Sequence, residues 1–108
     1  MSFNIITTPP FEKEIKQLAK KYPSIKKDIS LLAAHLEEEP KIGTPLGNNC
    51  YKISMVITSK GKGKSGGARV ITFVQIVEKN IFFLAIFVKS EAENISDADL
   101  KERMKRLK

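Results

Sequence analysis

Apolar positions change period along the chain, and the changes divide it into elements. Residues 3–7 carry Ile5 and Ile6 in a short run without helical spacing, which predicts a strand. Thr8 follows as a candidate N-cap. Pro9 suits the first helical position, where its missing N–H has no intrahelical partner to lose. From Phe11, the residues Ile15, Leu18, Ala19 and Tyr22 recur at the 3.6-residue period of an amphipathic helix. Pro23 interrupts the pattern, and Ile25, Ile29, Leu32, Ala33 and Leu36 restart it until Glu39 meets Pro40. So short a break predicts an antiparallel helical hairpin.

The period then shortens to two. A Gly- and Pro-containing stretch, residues 41–49, reads as a loop leading into Tyr51, Ile53, Met55 and Ile57, which alternate with Lys52, Ser54 and Thr58 as in a half-buried strand. Residues 68–77 and 81–88 are rich in β-branched and aromatic side chains and are separated by the turn 78–80. Three consecutive strands of this kind predict an antiparallel meander. Ser96, with Asp99 three residues on, resembles a capping box, and Leu100, Met104 and Leu107 form one apolar stripe of a last helix. The predicted fold is α+β: a strand, a helical hairpin packed on one face of the sheet, a three-stranded meander and a C-terminal helix. Residues 1–108 are expected to form a single domain.

Charge adds a partner to this picture. Lysine and arginine number 19 against 12 acids, giving a net charge of +7, which predicts an anionic ligand such as nucleic acid. No stretch has the length and apolarity of a membrane span, and the N-terminus lacks the charged-then-apolar order of a signal peptide, so a cytoplasmic location is expected. Cys50 is the only cysteine; it has no partner for an intrachain disulfide and is read as structural.

The positive charge is unevenly spread. Between Glu39 and Glu78 there is no acid, while Lys41, Lys52, Lys60, Lys62, Lys64 and Arg69 all fall there. Residues 59–67 read SKGKGKSGG, with little bulk to pack and glycines that let backbone approach a ligand. The segment is either a phosphate-seeking loop or a hairpin connection with solvated lysines. Lys13, Lys16, Lys20, Lys26 and Lys27 on the helices read first as a solvated face. Gly61-x-Gly63-x-x-Gly66 imitates a dinucleotide fingerprint, but a strand follows it instead of the helix that would hold a pyrophosphate. Gly63-Lys64-Ser65 imitates the end of a P-loop, but Thr58 stands where the earlier glycine belongs.

Inventory narrows the chemistry. His35 is the sole histidine, which argues against a two-histidine ribonuclease and a Ser-His-Asp triad, and it is read as structural. No His, Cys, Asp and Glu grouping suggests a zinc site, and the acid-free centre argues against a magnesium-dependent nuclease. No metal and no cofactor are expected. Chemistry by Lys, Arg, Glu and Tyr remains, compatible with RNA cleavage in which the substrate's own 2′-hydroxyl attacks the adjacent phosphate.

The segment from Ser59 through Arg69-Val70-Ile71, followed by a strand and by Ile86-Phe-Val-Lys89-Ser-Glu91, resembles the RelE/HigB superfamily of bacterial toxins, in particular the HigB-like branch. The paired helices and the loop before Tyr51 are also similar, so the resemblance covers nearly the whole chain. It implies a ribosome-dependent, metal-independent mRNA endoribonuclease, with the ribosome and its RNA as partners and a cognate antitoxin as inhibitor. It places Arg69 at a phosphate-contacting position and Lys89 where a transition-state stabiliser or proton donor belongs. Lys60, Lys62 and Lys64 match the loop facing RNA, and Lys52 joins them as a basic strand residue. Phe87 stands where the family motif has tyrosine; Glu91, near it in sequence, is read either as a candidate for proton transfer or as a surface salt-bridge or helix-entry carboxylate. A gyrase poison of the same fold and a non-enzymatic nucleic-acid-binding domain are the competing readings.

Overall fold

The computed structural model describes residues 3–61, 66–92 and 94–107. The first strand, β1 (Asn4–Thr7), is followed by α1 (Pro9–Lys21) and α2 (Ile25–Glu38). Strands β2 (Thr44–Gly47), β3 (Cys50–Met55), β4 (Ala68–Gln75) and β5 (Asn80–Val88) come next, with a 3₁₀ turn at Thr58–Lys60, and α3 (Asp97–Lys105) ends the fold. The sheet has five strands in the order β1-β5-β4-β3-β2. The meander β3-β4-β5 is antiparallel as its alternation predicts, and β1 adds to β5 in parallel.

Four local expectations need correction. The strand predicted over residues 68–77 stops at Gln75, residues 76–79 form the turn, and Asn80 already begins β5. Residues 41–49 contain β2, an edge strand paired with β3; Pro45 masks it in the sequence, yet a residue without an N–H is tolerated at a sheet edge. The strand predicted to run to Thr58 stops at Met55, and Thr58 begins the 3₁₀ turn. Thr8 precedes α1 in extended conformation, but its side chain makes no capping bond. Its hydroxyl and N–H instead donate to the Phe83 carbonyl at 2.8 and 3.3 Å, continuing the contact between β1 and β5 by one residue. The Ser96 cap forms as predicted, its Oγ accepting from Asp99 N–H at 3.1 Å.

Apolar side chains cover both faces of the central strands. On one face Phe11 and Ile15 of α1 and Ile25 and Leu36 of α2 pack on Ile53, Val70, Val74, Ile81, Phe83, Ile86 and Val88. Phe11 and Phe83 meet edge to face, with ring centroids 5.1 Å apart. On the other face Leu100, Met104 and Leu107 of the α3 segment pack on Cys50, Ile71, Leu84 and Ala85. A bulge reconciles the two faces along β5: Leu84 is skipped as the register passes from Ile71↔Ala85 to Thr72↔Phe83. The extra residue moves the helix-facing positions from Ile81 and Phe83 to Ile86 and Val88.

Beyond Thr7, β1 no longer pairs with β5, and side chains satisfy the exposed backbone there. Glu14 Oε1 accepts from Ile86 N–H at 3.2 Å, and Arg103 Nη1 donates to the Leu84 carbonyl at 2.7 Å. Arg103 also grips both oxygens of Glu14, at 2.9 and 2.8 Å. This pair joins α1 and α3 across the open edge of β5, fixing the helix beside the second face.

Candidate nucleic-acid interface

The second face carries the basic strand residues. Because side chains alternate across a sheet, Arg69 shares the face of Ile71, and the register places it between Ser54 of β3 and Phe87 of β5. Arg69 Nη1 donates to Ser54 Oγ at 3.3 Å. Lys52 lies two residues along β3 on the same face, opposite Ile71. The Cys50 thiol lies 3.7 Å from Met104 Sδ of α3. Ser54 stands four residues from Cys50, roughly 13 Å along an extended strand, so the arginine row lies toward the other end of this face.

At that end the chain termini of β3, β4 and β5 come together. Gly67 runs so close to β3 that a Cβ there would sit 2.1 Å from the Met55 carbonyl oxygen, which explains a glycine immediately before the arginine strand. Lys89, the residue after β5, donates its N–H to the Gly67 carbonyl at 3.1 Å. The backbone of Lys89 is thereby fixed to the residue two before Arg69, and Lys89 as a whole is partly buried. Glu91 is exposed in the following turn, its N–H donating to the Val88 carbonyl at 3.0 Å. The register thus puts Lys52 and Arg69 on one face with the Ser54 hydroxyl, sets the backbone of Lys89 at the end of that face, and leaves Glu91 exposed in the following turn.

Lys60 ends the 3₁₀ turn, with Nζ 5.4 Å from the centroid of the Tyr22 ring, within the range of a cation–π contact. Lys62 and Lys64 lie outside the described residues. The turn itself rests on a residue that the sequence reading passed over. Asp28 is buried on α2, and its carboxylate accepts from Thr58 N–H at 3.0 Å, Thr58 Oγ1 at 2.6 Å and Ser24 Oγ at 2.9 Å. Burial acts to raise its pKa, but the bonds from Thr58 and Ser24 outweigh it and hold the carboxyl below its ordinary 3.8. An acid three residues after Ile25 on the inward stripe was the available signal, because a buried acid demands partners.

The other singled-out residues stand apart. Cys50 is buried, and burial pushes its thiol up to about 11, the inert behaviour of a structural cysteine. His35 is exposed at the end of α2, with Nε2 3.4 Å from Glu39 Oε1. Among the described residues, no group of His, Cys, Asp and Glu is placed to hold a metal ion, and no helix is long and apolar enough to cross a membrane. What the arrangement offers is a guanidinium oriented by a hydroxyl, with Lys52 on the neighbouring strand and the backbone of Lys89 fixed just past β5. Such a set suits a phosphate whose charge grows during reaction.

Comparison with known proteins supplies the family. A sequence model described as the RelE toxin of the RelE / RelB toxin–antitoxin system matches residues 11–107. Among solved structures, the free state of an arginine double mutant of the E. coli toxin RelE superposes with a TM-score of 0.65 at 17% identity, covering 100% of both chains. At that identity the likeness shows the shared fold.

Proposed function

The chain belongs to the RelE toxin family, and on that footing we propose that this toxin cuts mRNA held in the ribosome's decoding site, without a metal ion, until its cognate antitoxin binds it. The observation that carries the reading is the cross-strand row Ser54–Arg69–Phe87, with Lys52 on the same face and Lys89 bonded next to it. The 2′-oxygen attacks the adjacent phosphorus, losing its proton to a base. The bond from phosphorus to the 5′-oxygen breaks, and that oxygen takes up a proton, leaving a 2′,3′-cyclic phosphate. Arg69 and Lys89 meet the charge that builds on the phosphate oxygens. Lys52, Lys60, Lys62 and Lys64 hold the RNA backbone. Phe87 brings no hydroxyl, so Glu91 is the acid-base candidate in the late motif. The lysine-glycine segment before Arg69 supports placement in the HigB-like branch.

A site with no histidine pair gains from a substrate already bent into line, because orientation supplies several kcal/mol of catalysis. The ribosome provides that path, and the +7 charge favours association with its RNA. The test compares cleavage of one mRNA, free and programmed into ribosomes, with primer extension mapping new 5′ ends. Cleavage only on ribosomes is the expected result. Equal cleavage of free RNA overturns the ribosome dependence, and intact mRNA with trapped or cut DNA replaces the reading with gyrase poisoning.

A further inference from the structure

The turn Thr58–Lys60 opens the lysine-rich segment, and it is tied to the junction of α1 and α2 by more bonds than a chain connection requires. Asp28 takes both the N–H and the hydroxyl of Thr58. Ser24 donates to Asp28 and accepts from Ser59 N–H at 2.8 Å, with the Ser59 hydroxyl 3.0 Å away. Tyr22, the residue that closes α1, lies under the Lys60 ammonium. Residues from the helical junction thus contact three successive residues of the turn, Thr58, Ser59 and Lys60.

A buried carboxylate is an expensive way to fill a helix–sheet junction, where an apolar side chain packs without needing partners. Asp28 spends its acceptor capacity on the turn and on Ser24, which itself binds the turn. None of these described bonds goes to β4 or β5. The arrangement therefore does little for the sheet and much for the placement of one surface segment. We propose that Asp28 and Ser24 form a positioning clamp for the RNA-binding turn, holding Lys60 on Tyr22 so that its ammonium meets a phosphate already ordered. The inference rests on the RNA-directed reading above, but it concerns binding and does not require that the bound RNA be cut.

An ordered lysine loses less freedom on binding than a free one, and the saving for one side chain corresponds to about two- to tenfold in affinity. It also adds one phosphate contact to the salt dependence of binding. The depressed pKa of Asp28 agrees with a carboxylate that stays ionised on its donors at neutral pH. Neither Asp28 nor Ser24 touches the proposed reacting phosphate; both act through the turn.

The experiment measures the Kd of the full-length toxin for mRNA-programmed ribosomes over a series of salt concentrations, with cleavage followed in parallel. Asp28→Ala is expected to weaken binding by up to about tenfold and to lower the salt slope by about one contact. Thr58→Ser, which keeps both donors, should bind like the wild type, and Thr58→Val should fall between them. A purely structural defect lowers the fraction of competent protein without changing the Kd or slope of the folded remainder. If Asp28→Ala fails to fold, Thr58→Val decides, since Thr58 is exposed and its loss spares the core. Wild-type Kd and slope in the folded clamp variants, or loss in Thr58→Ser equal to that in Thr58→Val, overturns the clamp. A wild type that binds ribosomes but leaves mRNA intact removes the ribonuclease reading and leaves the clamp to be judged on the binding data.

Discussion

Replacing Arg103 with alanine removes the connection that closes the open edge of β5, and its cost follows from the contacts. The side chain is 16% exposed and makes two bonds to Glu14, itself 31% exposed, and one to the Leu84 carbonyl. Hydrogen bonds to charged groups contribute about 1.5–3 kcal/mol each, but three from one guanidinium are not additive. The additional pair with Asp99, 47% exposed, contributes roughly 0.5 kcal/mol. A total near 3 kcal/mol is expected. An unfolding entropy of about 2.1 cal/mol/K per residue gives ~0.23 kcal/mol/K for this chain, so Tm should fall by roughly 13 °C. Thermal unfolding followed by circular dichroism measures it, in a double-mutant cycle with Glu14→Ala. The bonds to Glu14 and burial pull the guanidinium pKa in opposite directions, and the Glu14 bonds prevail, raising it. A raised cation keeps its contribution below the unfolded pKa and loses it only in strong alkali, so the effect should persist from pH 5 to 9. A coupling energy below about 0.3 kcal/mol would refute the account, because residues that share these bonds cannot act independently.

Arg69→Ala should abolish growth arrest and reduce mRNA cleavage by ~10²-fold or more while leaving Tm within a few degrees, and growth curves with unfolding scans check both. Thr72 is fully buried and its hydroxyl has no hydrogen-bond partner; Thr72→Val should stabilise the fold by about 1 kcal/mol, read as a higher urea midpoint at unchanged slope. Asp28 supports the fold above its unfolded pKa, and that support is lost as pH falls through its depressed folded value. Asp28→Asn should therefore be less stable than wild type at pH 6 and should lose less stability between pH 4 and pH 2, which chemical denaturation at each pH measures.

Elements with a local signal were legible in the sequence. Pro23 and the interrupted 3.6-residue period delimit α1 and α2, alternation marks β3, and the Ser96 cap marks α3. The bulge in β5 was hidden because residues 81–88 are apolar throughout, so a slip of one residue leaves the pattern unchanged. The bond between Glu14 and Arg103 spans 89 residues and has no local signature. Arg69 could be singled out as a cation within a β-branched run, and Lys52 by alternation. Asp28 was obscured by the apolar stripe around it, although its presence there was itself the clue.

The site depends on register as much as on residue type. Ser54, Arg69 and Phe87 belong to three different strands, and Lys89 joins them through a backbone bond to Gly67. A shift of β4 by one residue would turn Arg69 toward the helices and bring an apolar neighbour to the face that carries Lys52. The Leu84 bulge and the close approach of Gly67 to Met55 both act against such a shift, one by fixing which residues of β5 face α1 and the other by excluding a side chain at the start of β4. The packing that buries Val70 and Ile86 under the helices is thus the same constraint that aims Arg69 away from them.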